Sequence, residues 1–243
     1  MKRVNFFVFS MLIFIGGTFC GCNRDDVVDN MELYPDWSGE SSGNDSDGEN
    51  VELTKGEVID LGLSVKWASY NVGASAPEEY GGLYGWADPT GEKTTSDLDV
   101  YPTPIPPENI CGTKYDIARA KWGDDWRLPT VDEFKELVQK CDWYWATYKG
   151  TEGALVVGPN GNSIFLPAGG CANDRLVGGN MIAGLGHTCY YWSGTLYGTK
   201  YQEYLNRAYF LYCDKYTGDL TWSKYTQMNY RSTGHSVRPV IDN

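Results

Sequence analysis

The chain of 243 residues has a formal net charge of −12, with 32 acidic residues against 20 basic ones. No stretch rich in Lys and Arg interrupts this acidic surplus, so nucleic acid is excluded as an expected partner, because phosphate backbones are bound through clustered basic side chains. Glycine (29 residues) and tyrosine (18 residues) are abundant, and long helical patterns are scarce. This composition favours many short strands joined by turns.

Residues 1–22 have the features of a targeting segment. Lys2 and Arg3 precede an apolar run from Phe6 to Ile15, which is shorter than the roughly 20 residues that cross a bilayer as a helix and matches a signal-peptide core. The run is followed by Gly21 and Cys22, and a small residue before a cysteine is what lipoprotein signal peptidase requires. The sequence therefore predicts lipidation of Cys22, with a diacylglycerol and palmitate as the expected acyl groups. An ordinary cleaved signal peptide is the alternative.

Residues 23–50 contain nine acidic residues and one basic residue, Arg24. Such a composition cannot bury enough apolar surface to offset its ordering entropy, so these residues are predicted to be a disordered tether. Asn23-Arg24-Asp25-Asp26 resembles the acidic export signal behind the lipidated cysteine of surface lipoproteins in Bacteroidota. That resemblance implies an outer-membrane protein that faces the cell exterior and contacts the membrane through its lipid anchor only. A plain solvated linker is the alternative.

Residues 51–243 are predicted to form one domain, because neither a second linker nor a repeat of fixed period interrupts them. The first strand is expected within Val58–Trp67, where apolar and polar residues alternate from Leu63 onwards. The proline-rich residues 88–110 are predicted to be a long irregular loop.

Two helices are predicted after that loop. A short helix is expected at Tyr115–Lys121, and a clearer helix begins at Thr130, because Thr130 and Glu133 have the spacing of a capping box. An apolar stripe at positions i, i+3, i+4 and i+7 follows: Phe134, Leu137, Val138 and Cys141.

The remaining elements are predicted to be strands. Ala154–Leu166 indicates a hairpin around a Gly-Pro-Asn-Gly-Asn turn. Further strands are expected at Tyr190–Trp192, Ala208–Cys213, Leu220–Trp222 and Ser236–Val240. This order predicts an α+β fold of mostly short antiparallel strands, about two helices and long loops.

Four segments carry a specific combination of motifs: Val58–Ala68, Tyr80–Trp86, Trp122–Thr130 with Glu133, Phe134 and Leu137, and Gly234–Val240. The combination resembles the Fibrobacter succinogenes major paralogous domain family, which is common in Bacteroidota surface lipoproteins. That family is similar to the wider C-type-lectin-like superfamily, which includes formylglycine-generating enzymes. The resemblance covers nearly all of residues 57–241, and the Trp-Arg-Leu-Pro-Thr motif together with the Ser-Val-Arg-Pro-Val ending is its most specific part.

The resemblance implies a C-type-lectin-like fold in which the N- and C-terminal strands pair. Trp126 and Leu128 are expected to place core side chains ahead of the capped helix. Arg127 and Arg238 are expected to be held by buried carboxylates or carbonyls, because a buried guanidinium must be paired. We interpret five motif residues as structural: Trp126, Arg127, Pro129, Glu133 and Arg238.

No catalytic residue, metal site or cofactor is predicted. His187 and His235 match no metal-ligand spacing, and His235, within the closing motif, is interpreted as structural. The triplets of calcium-dependent lectins are absent, and the nearest fragment, Pro107-Glu108-Asn109, has its residues in the wrong order. A calcium ion bound through isolated carboxylates and carbonyls stays an open alternative. The pairing of the five domain cysteines also stays open, and Cys141 is expected to be a buried free thiol: the five are Cys111, Cys141, Cys171, Cys189 and Cys213.

The last third of the chain is rich in tyrosine, with ten of the 18 tyrosines between residues 190 and 230. Tyrosine mixed with Ser, Asn and Gly is typical of binding surfaces, although tyrosine also favours strands. Five aromatic residues are interpreted as strand residues of the core: Tyr190, Tyr191, Trp192, Phe210 and Tyr212. The predicted ligand-binding residues are Tyr197, Tyr201, Tyr204, Asn206, Asp214, Tyr216, Trp222, Tyr225 and Asn229.

These observations predict a non-catalytic adhesin-like lipoprotein that binds a glycan or a surface protein through a Tyr-rich C-terminal face. One alternative is a structural or accessory subunit of a surface appendage. Another is a divergent enzyme of the formylglycine-generating type, which needs a reactive cysteine of low pKa. The sequence leaves the ligand and the oligomeric state open. It also leaves open whether the C-terminal region is diversified as in retroelement-associated relatives.

Overall fold

The computed structural model describes residues 56–91, 107–123, 125–172, 182–198, 205–215 and 228–243. In chain order, the elements in these residues are β1 (Val58–Ile59), β2 (Val65–Ala68), α1 (Ile117–Trp122), α2 (Val131–Lys140), β3 (Asp142–Tyr148), β4 (Thr151–Val157), β5 (Ser163–Pro167), β6 (Cys171–Ala172), β7 (Ile182–Ala183), β8 (Thr188–Leu196), β9 (Arg207–Asp214), β10 (Met228–Tyr230) and β11 (Val240–Asp242). Short strands and two helices make this part of the chain α+β-like.

The strands form small sheets in the orders β1-β2-β11, β10-β9-β8, β3-β4-β5 and β6-β7. Every pairing between these named strands is antiparallel, as the sequence predicted. β11 pairs with β2 in the register Val240↔Trp67, so the expected pairing of the first and last segments of the domain is observed.

Both helices begin at capping side chains. In α2, the Thr130 hydroxyl accepts a bond from the Glu133 amide at 3.2 Å, and the Thr130 amide donates to the Glu133 carboxylate at 2.7 Å, which confirms the predicted capping box. α1 is capped by Asp116 and begins two residues later than predicted. Among the described residues, no helix combines the length and the apolar character needed to span a membrane.

The predicted hairpin is confirmed as β4 and β5. The sequence did not predict β3, although β3 pairs with β4 over its whole length. The two strands are joined by Lys149 and Gly150, both at positive φ (43° and 86°), as a two-residue hairpin turn requires. Asparagine or glycine is usual at the first of these positions. Because Lys149 occupies it instead, no sequence signal indicated this turn.

Two strand predictions need separate comment. Ser236–Val240 was predicted as a strand, but the strand begins only at Val240. Before it, Ser236 forms a single parallel bridge to Tyr191, and Pro239 has no amide to donate to a ladder. Leu220–Trp222 lies outside the described residues, as does the central part of the predicted loop at 88–110.

In the described residues, the buried side chains form two core clusters. One packs the apolar stripe of α2 (Phe134, Leu137 and Cys141) against β2, β4, β5, β8 and β9. Val138 is half-buried against the same cluster. The other contains four tryptophans, one of which is the last residue of α1, and includes the predicted core residues Trp126 and Leu128. The tryptophans are Trp86, Trp122, Trp126 and Trp192.

Arg238 is fully buried. Its Nε donates to Asn71 Oδ1 at 2.9 Å, Nη1 donates to the carbonyls of Ala68 and Ser69 at 3.0 Å each, and Nη2 donates to the carbonyl of Phe165 at 2.8 Å. Burial lowers the pKa of its guanidinium to about 10. The partners of the buried guanidinium are carbonyl oxygens, one of the two kinds of partner that the sequence led us to expect.

Arg127 links the start of α2 to β11. Its Nη1 and Nη2 bind both oxygens of Glu133, at 2.9 and 2.7 Å, and Nη2 also binds Asp242 at 2.6 Å. Its backbone exchanges two hydrogen bonds with Val240. Glu133 therefore serves both the capping box and a bidentate ion pair. Pro129, just before the cap, is buried, and its carbonyl accepts a bond from the Gly194 amide at 2.8 Å.

Candidate functional site

The sheet β10-β9-β8 carries the Tyr-rich region that the sequence singled out. Because side chains alternate across a strand, Tyr190 and Trp192 of β8 share one face with Phe210 and Tyr212 of β9, their register partners. Trp192 and Phe210 are buried, whereas Tyr190 and Tyr212 are half-buried. The Tyr190 ring stacks on Phe210 at 5.5 Å and meets Tyr212 edge-on at 5.4 Å. The row therefore runs from a buried end to a partly exposed end.

Asp214 lies at the exposed end of this row. Its Oδ2 accepts a hydrogen bond from the Thr188 hydroxyl at 3.0 Å and another from the Tyr212 hydroxyl at 3.1 Å. His187 Nδ1 lies 3.2 Å from the same Thr188 hydroxyl, and the Lys215 amide donates to the His187 carbonyl at 2.9 Å. The end of the β8–β9 ladder thus holds a carboxylate, two hydroxyls and an imidazole together.

The β3–β4 hairpin meets this end of the ladder through Glu152. Lys215 Nζ lies 2.9 Å from Glu152 Oε2, and Trp145 Nε1 donates to the same oxygen at 2.6 Å. The Thr147 hydroxyl donates to Glu152 Oε1 at 2.8 Å. Burial tends to raise the pKa of the Glu152 carboxyl, but the bonds from Lys215, Trp145 and Thr147 outweigh it and hold that pKa below its usual value. Glu152 therefore stays ionised.

We name these two hydrogen-bonded groups, which the backbone from Asp214 to Lys215 connects, the Asp214 patch. It consists of Trp145, Glu152, His187, Tyr212, Asp214 and Lys215. The side chains of Glu152 and Lys215 are 29% and 41% exposed, so both charges reach solvent while remaining paired. Two carboxylates, an ammonium group and two aromatic rings with polar tips suit non-covalent recognition of a polar ligand.

The structure separates the predicted ligand-binding residues that it describes. Asp214 lies in the patch, whereas Tyr197 follows the opposite end of β8 and Asn206 precedes β9 there. The length of β9 between the two ends is about 23 Å. Tyr197 packs edge-on against Tyr209 at 5.2 Å, on the other face of the sheet. Asn229 lies in β10, where its Nδ2 is 3.1 Å from Nε2 of the buried His235.

Five other predicted ligand-binding residues and the predicted lipidation site lie outside the described residues. Three of the five belong to the segment between Lys215 and Met228, which leads directly from the patch in sequence. The residues outside are Cys22, Tyr201, Tyr204, Tyr216, Trp222 and Tyr225.

The cysteines of the described residues are all free thiols. Burial raises the pKa of Cys111 to about 12 and, together with the nearby carboxylates of Asp142 and Glu136, raises the pKa of Cys141 to about 11. Cys189 and Cys213 are buried register partners, and burial also raises the pKa of Cys213. These shifts disfavour the thiolate. Cys141 is the buried free thiol that the sequence predicted.

His235 is buried in the aromatic row. Its ring stacks on Trp192 with centroids 3.9 Å apart, and burial lowers its pKa well below the usual value, so the ring is neutral. The interpretation of His235 as structural agrees with this packing. Within the described ranges, no group of three or more His, Cys, Asp or Glu side chains is arranged to hold a metal ion.

Sequence reasoning identified Asp214 but missed Trp145, Glu152 and Lys215, whose side chains are joined at the same end of the β8–β9 ladder. Lys215 and Glu152 are 63 positions apart, and nothing in either local pattern indicates that the hairpin and the ladder meet. The run of three aromatic residues Trp143-Tyr144-Trp145 could have indicated β3, since aromatic residues are enriched in strands.

Comparisons of the chain with protein-family models, with characterised proteins and with solved structures found no match. The family resemblance of the four sequence motifs therefore stays a prediction. What the residues can do follows from the geometry of the Asp214 patch.

Proposed function

We propose that the chain is an exported, lipid-anchored protein of the cell surface that binds a glycan without catalysis at the Asp214 patch. The supporting observation is that two hydrogen-bonded groups lie at the same end of the β8–β9 ladder. One is Asp214 with Tyr212, and the other is Glu152 with Lys215 and Trp145. Charged hydrogen-bonding groups beside aromatic rings are what a polar, ring-shaped ligand requires.

Sugar hydroxyls both donate and accept hydrogen bonds, so a sugar site needs acceptors and donors side by side. Asp214 and Glu152 supply carboxylate acceptors, and Lys215 supplies donors. Because these groups are already held by Thr188, Tyr212 and Trp145, they lose little side-chain freedom when a ligand arrives. Tyrosine and tryptophan add apolar contact area for the ring faces of a sugar.

The electrostatics favour binding over acid–base or nucleophilic chemistry. The lowered pKa of Glu152 keeps it a hydrogen-bond acceptor, whereas a general acid needs a raised pKa. The raised pKa of Cys111, Cys141 and Cys213 contrasts with the lowered pKa of a nucleophilic cysteine. These directions weigh against the alternative of a formylglycine-generating-type enzyme.

The proposal includes a C-type-lectin-like fold of the Fibrobacter succinogenes major paralogous domain type. The pairing of β2 with β11 and the capped α2 ahead of the main ladder support it. Trp126 is buried in the core, Arg127 pairs with Glu133 and Asp242, and Arg238 is buried among oxygen acceptors. These environments support the structural roles proposed for the three residues. The outer-membrane location rests on the sequence of residues 1–50, with Cys22 as the lipid-bearing residue.

Binding of the purified full chain to a glycan array, with and without Ca²⁺, tests this function. We expect saturable binding that falls at least tenfold in Asp214→Asn/Lys215→Ala. The matched control is Tyr197→Ala/Asn206→Ala, which alters the opposite end of the sheet and is expected to bind as the unaltered chain does.

Two results would contradict the proposal. Equal loss in both double variants would show that the patch is not the site. An absence of glycan binding under either condition, combined with capture of a defined envelope protein by the full chain, would assign the surface to a protein partner instead.

A further inference from the structure

In the part of the chain that the structure describes, β3 is an edge strand, and no strand pairs with its outer side. Within the described residues, β3 pairs only with β4. The two-residue turn makes Tyr148 and Thr151 a hydrogen-bonded pair, and hydrogen-bonded pairs recur at every second residue. The amides and carbonyls of Trp143, Trp145 and Thr147 therefore point away from β4.

This edge lacks the features by which proteins protect open strands. Charged side chains, prolines, bulges and short length normally prevent edge-to-edge pairing. β3 extends over 7 residues with a single charge, on Asp142 at its start. The other edges in the described sheets differ. β1, β6, β7, β10 and β11 have only 2 or 3 residues each, and β5 ends at Pro167. The long edge strand β8 donates backbone hydrogen bonds to the carbonyls of Ser236, Pro129 and Glu108.

We propose that β3 pairs with β3 of a second copy of this chain, antiparallel across a two-fold axis that passes by Trp145. This register follows from the positions of the outward-pointing amides and carbonyls of β3. With Trp145 opposite the partner's Trp145, Trp143 lies opposite the partner's Thr147, so all three outward-pointing residues of each strand find a partner. A shift by two residues leaves one outward residue unpaired in each copy. The two small sheets then become one six-stranded sheet, β5-β4-β3 followed by the same strands in reverse order.

The charges at the two ends of β3 are complementary in this arrangement. Asp142 begins the strand and Lys149 directly follows it, so an antiparallel pair places each Asp142 beside the partner's Tyr148 and Lys149. The Lys149 side chain is 55% exposed although it contacts Glu78, and it can therefore reach a second carboxylate. A parallel pairing would place like charges together. Tyr144, which is 37% exposed, becomes covered by the partner's Ala146.

The contact between two seven-residue strands is smaller than a standard protein interface, so the dimer is expected to be weak and concentration-dependent. Thr147→Pro tests it, because proline removes an outward-pointing amide while leaving the bonds to β4. Thr147→Val is the matched control, since both changes remove the hydroxyl that bonds to Glu152 but only proline removes the amide.

Sedimentation of the full chain in non-ionic detergent measures the association. We expect the unaltered chain and Thr147→Val to reach dimers as concentration rises, and Thr147→Pro to dissociate at least tenfold more readily. All three carry the same N-terminal residues, so any association through that region is common to them. Equal association of Thr147→Pro and Thr147→Val would overturn the proposal, as would a chain that stays monomeric or binds only an added extended peptide.

A charge exchange separates loss of pairing from loss of folding. Asp142→Lys is expected to weaken the dimer, because each new lysine faces the partner's Lys149. Adding Lys149→Asp to the same chain restores opposite charges and is expected to restore association. Failure of the double variant to associate better than Asp142→Lys would contradict this arrangement of the two strands.

Discussion

At the scale of single residues, burial determines the protonation of His235. Its ring lies between Trp192 and Tyr190 and is fully buried, and burial lowers its pKa well below 6.5. In the unfolded chain the imidazole of His235 binds a proton near pH 6.5. In the folded chain burial opposes this protonation. The folded state therefore binds fewer protons over the acidic side of this range, and its stability rises with pH there.

We predict that the protein loses stability as the pH falls from 7.5 to 5, because His235 resists protonation in the folded state. Because the folded pKa is lowered, the contribution is intact above pH 6.5 and decreases below it. The free energy of unfolding should fall by about 2 kcal/mol by pH 5 from this residue alone. Urea unfolding at several pH values measures it. His235→Phe, which keeps a flat ring against Trp192, should remove this part of the slope.

The control for this prediction is His187→Gln, which leaves the buried imidazole in place and should retain the slope of the unaltered chain. A slope in His235→Phe equal to that of the unaltered chain would mean that His235 does not resist protonation. Comparison of the two variants is informative because they remove the two histidines of the sequence one at a time.

At the scale of elements, Asp116 joins the start of α1 to two neighbouring loops. Its Oδ1 accepts bonds from the amides of Ala118 and Arg119, at 2.8 and 3.4 Å, and its Oδ2 accepts bonds from Gly112 and Leu128, each at 2.8 Å. Burial raises the pKa of this carboxyl while the four amides act in the opposite direction. A single side chain thus fixes a helix start and the approach to the Trp126–Thr130 segment.

We predict that Asp116→Asn lowers the free energy of unfolding by about 2 kcal/mol. Asparagine keeps one acceptor oxygen for the helix cap but presents an NH₂ group to the amides of Gly112 and Leu128, so two bonds to a charged acceptor are lost. Chemical denaturation near pH 7 measures the change. Asp132→Asn, an exposed substitution in the first turn of α2, should change stability by less than about 0.5 kcal/mol. Equal effects of the two substitutions would contradict the role assigned to Asp116.

Elements with local sequence signals were predictable, and those that depend on distant contacts were not. The Thr130–Glu133 spacing gave the start of α2, and the glycine- and asparagine-rich turn gave the β4–β5 hairpin, because both signals lie within a few residues. β3 was missed because its turn uses Lys149. Of the Asp214 patch, Asp214 was predicted from its Tyr-rich surroundings, whereas its connection to Glu152 through Lys215 exists only after two sheets pack together.

At the scale of the whole molecule, the pairing of β2 with β11 joins the beginning and the end of the domain. Val240 is fully buried opposite Trp67, and its backbone exchanges two hydrogen bonds with Arg127. Asp242 is one of the two carboxylates that hold the Arg127 guanidinium. Residues 240–242 therefore connect β2 to the segment that leads into α2, and a local change at this end acts on both.

We predict that deletion of residues 240–243 destabilises the whole domain rather than fraying one edge. The deletion leaves β2 paired only with the two-residue β1, exposes the side of Trp67 that Val240 covers, and removes a carboxylate from Arg127. Together these losses should lower the free energy of unfolding by more than about 5 kcal/mol, which is a large part of the stability of an ordinary domain.

Deletion of Asn243 alone is the control. It removes the bonds from Asn243 to the carbonyls of Leu63 and Ser64 and should lower the free energy of unfolding by about 1 kcal/mol. Thermal unfolding followed by near-ultraviolet circular dichroism distinguishes the two, because the buried tryptophans report on both core clusters. Retention of a cooperative transition near that of the unaltered chain after the longer deletion would show that β11 is peripheral to the fold.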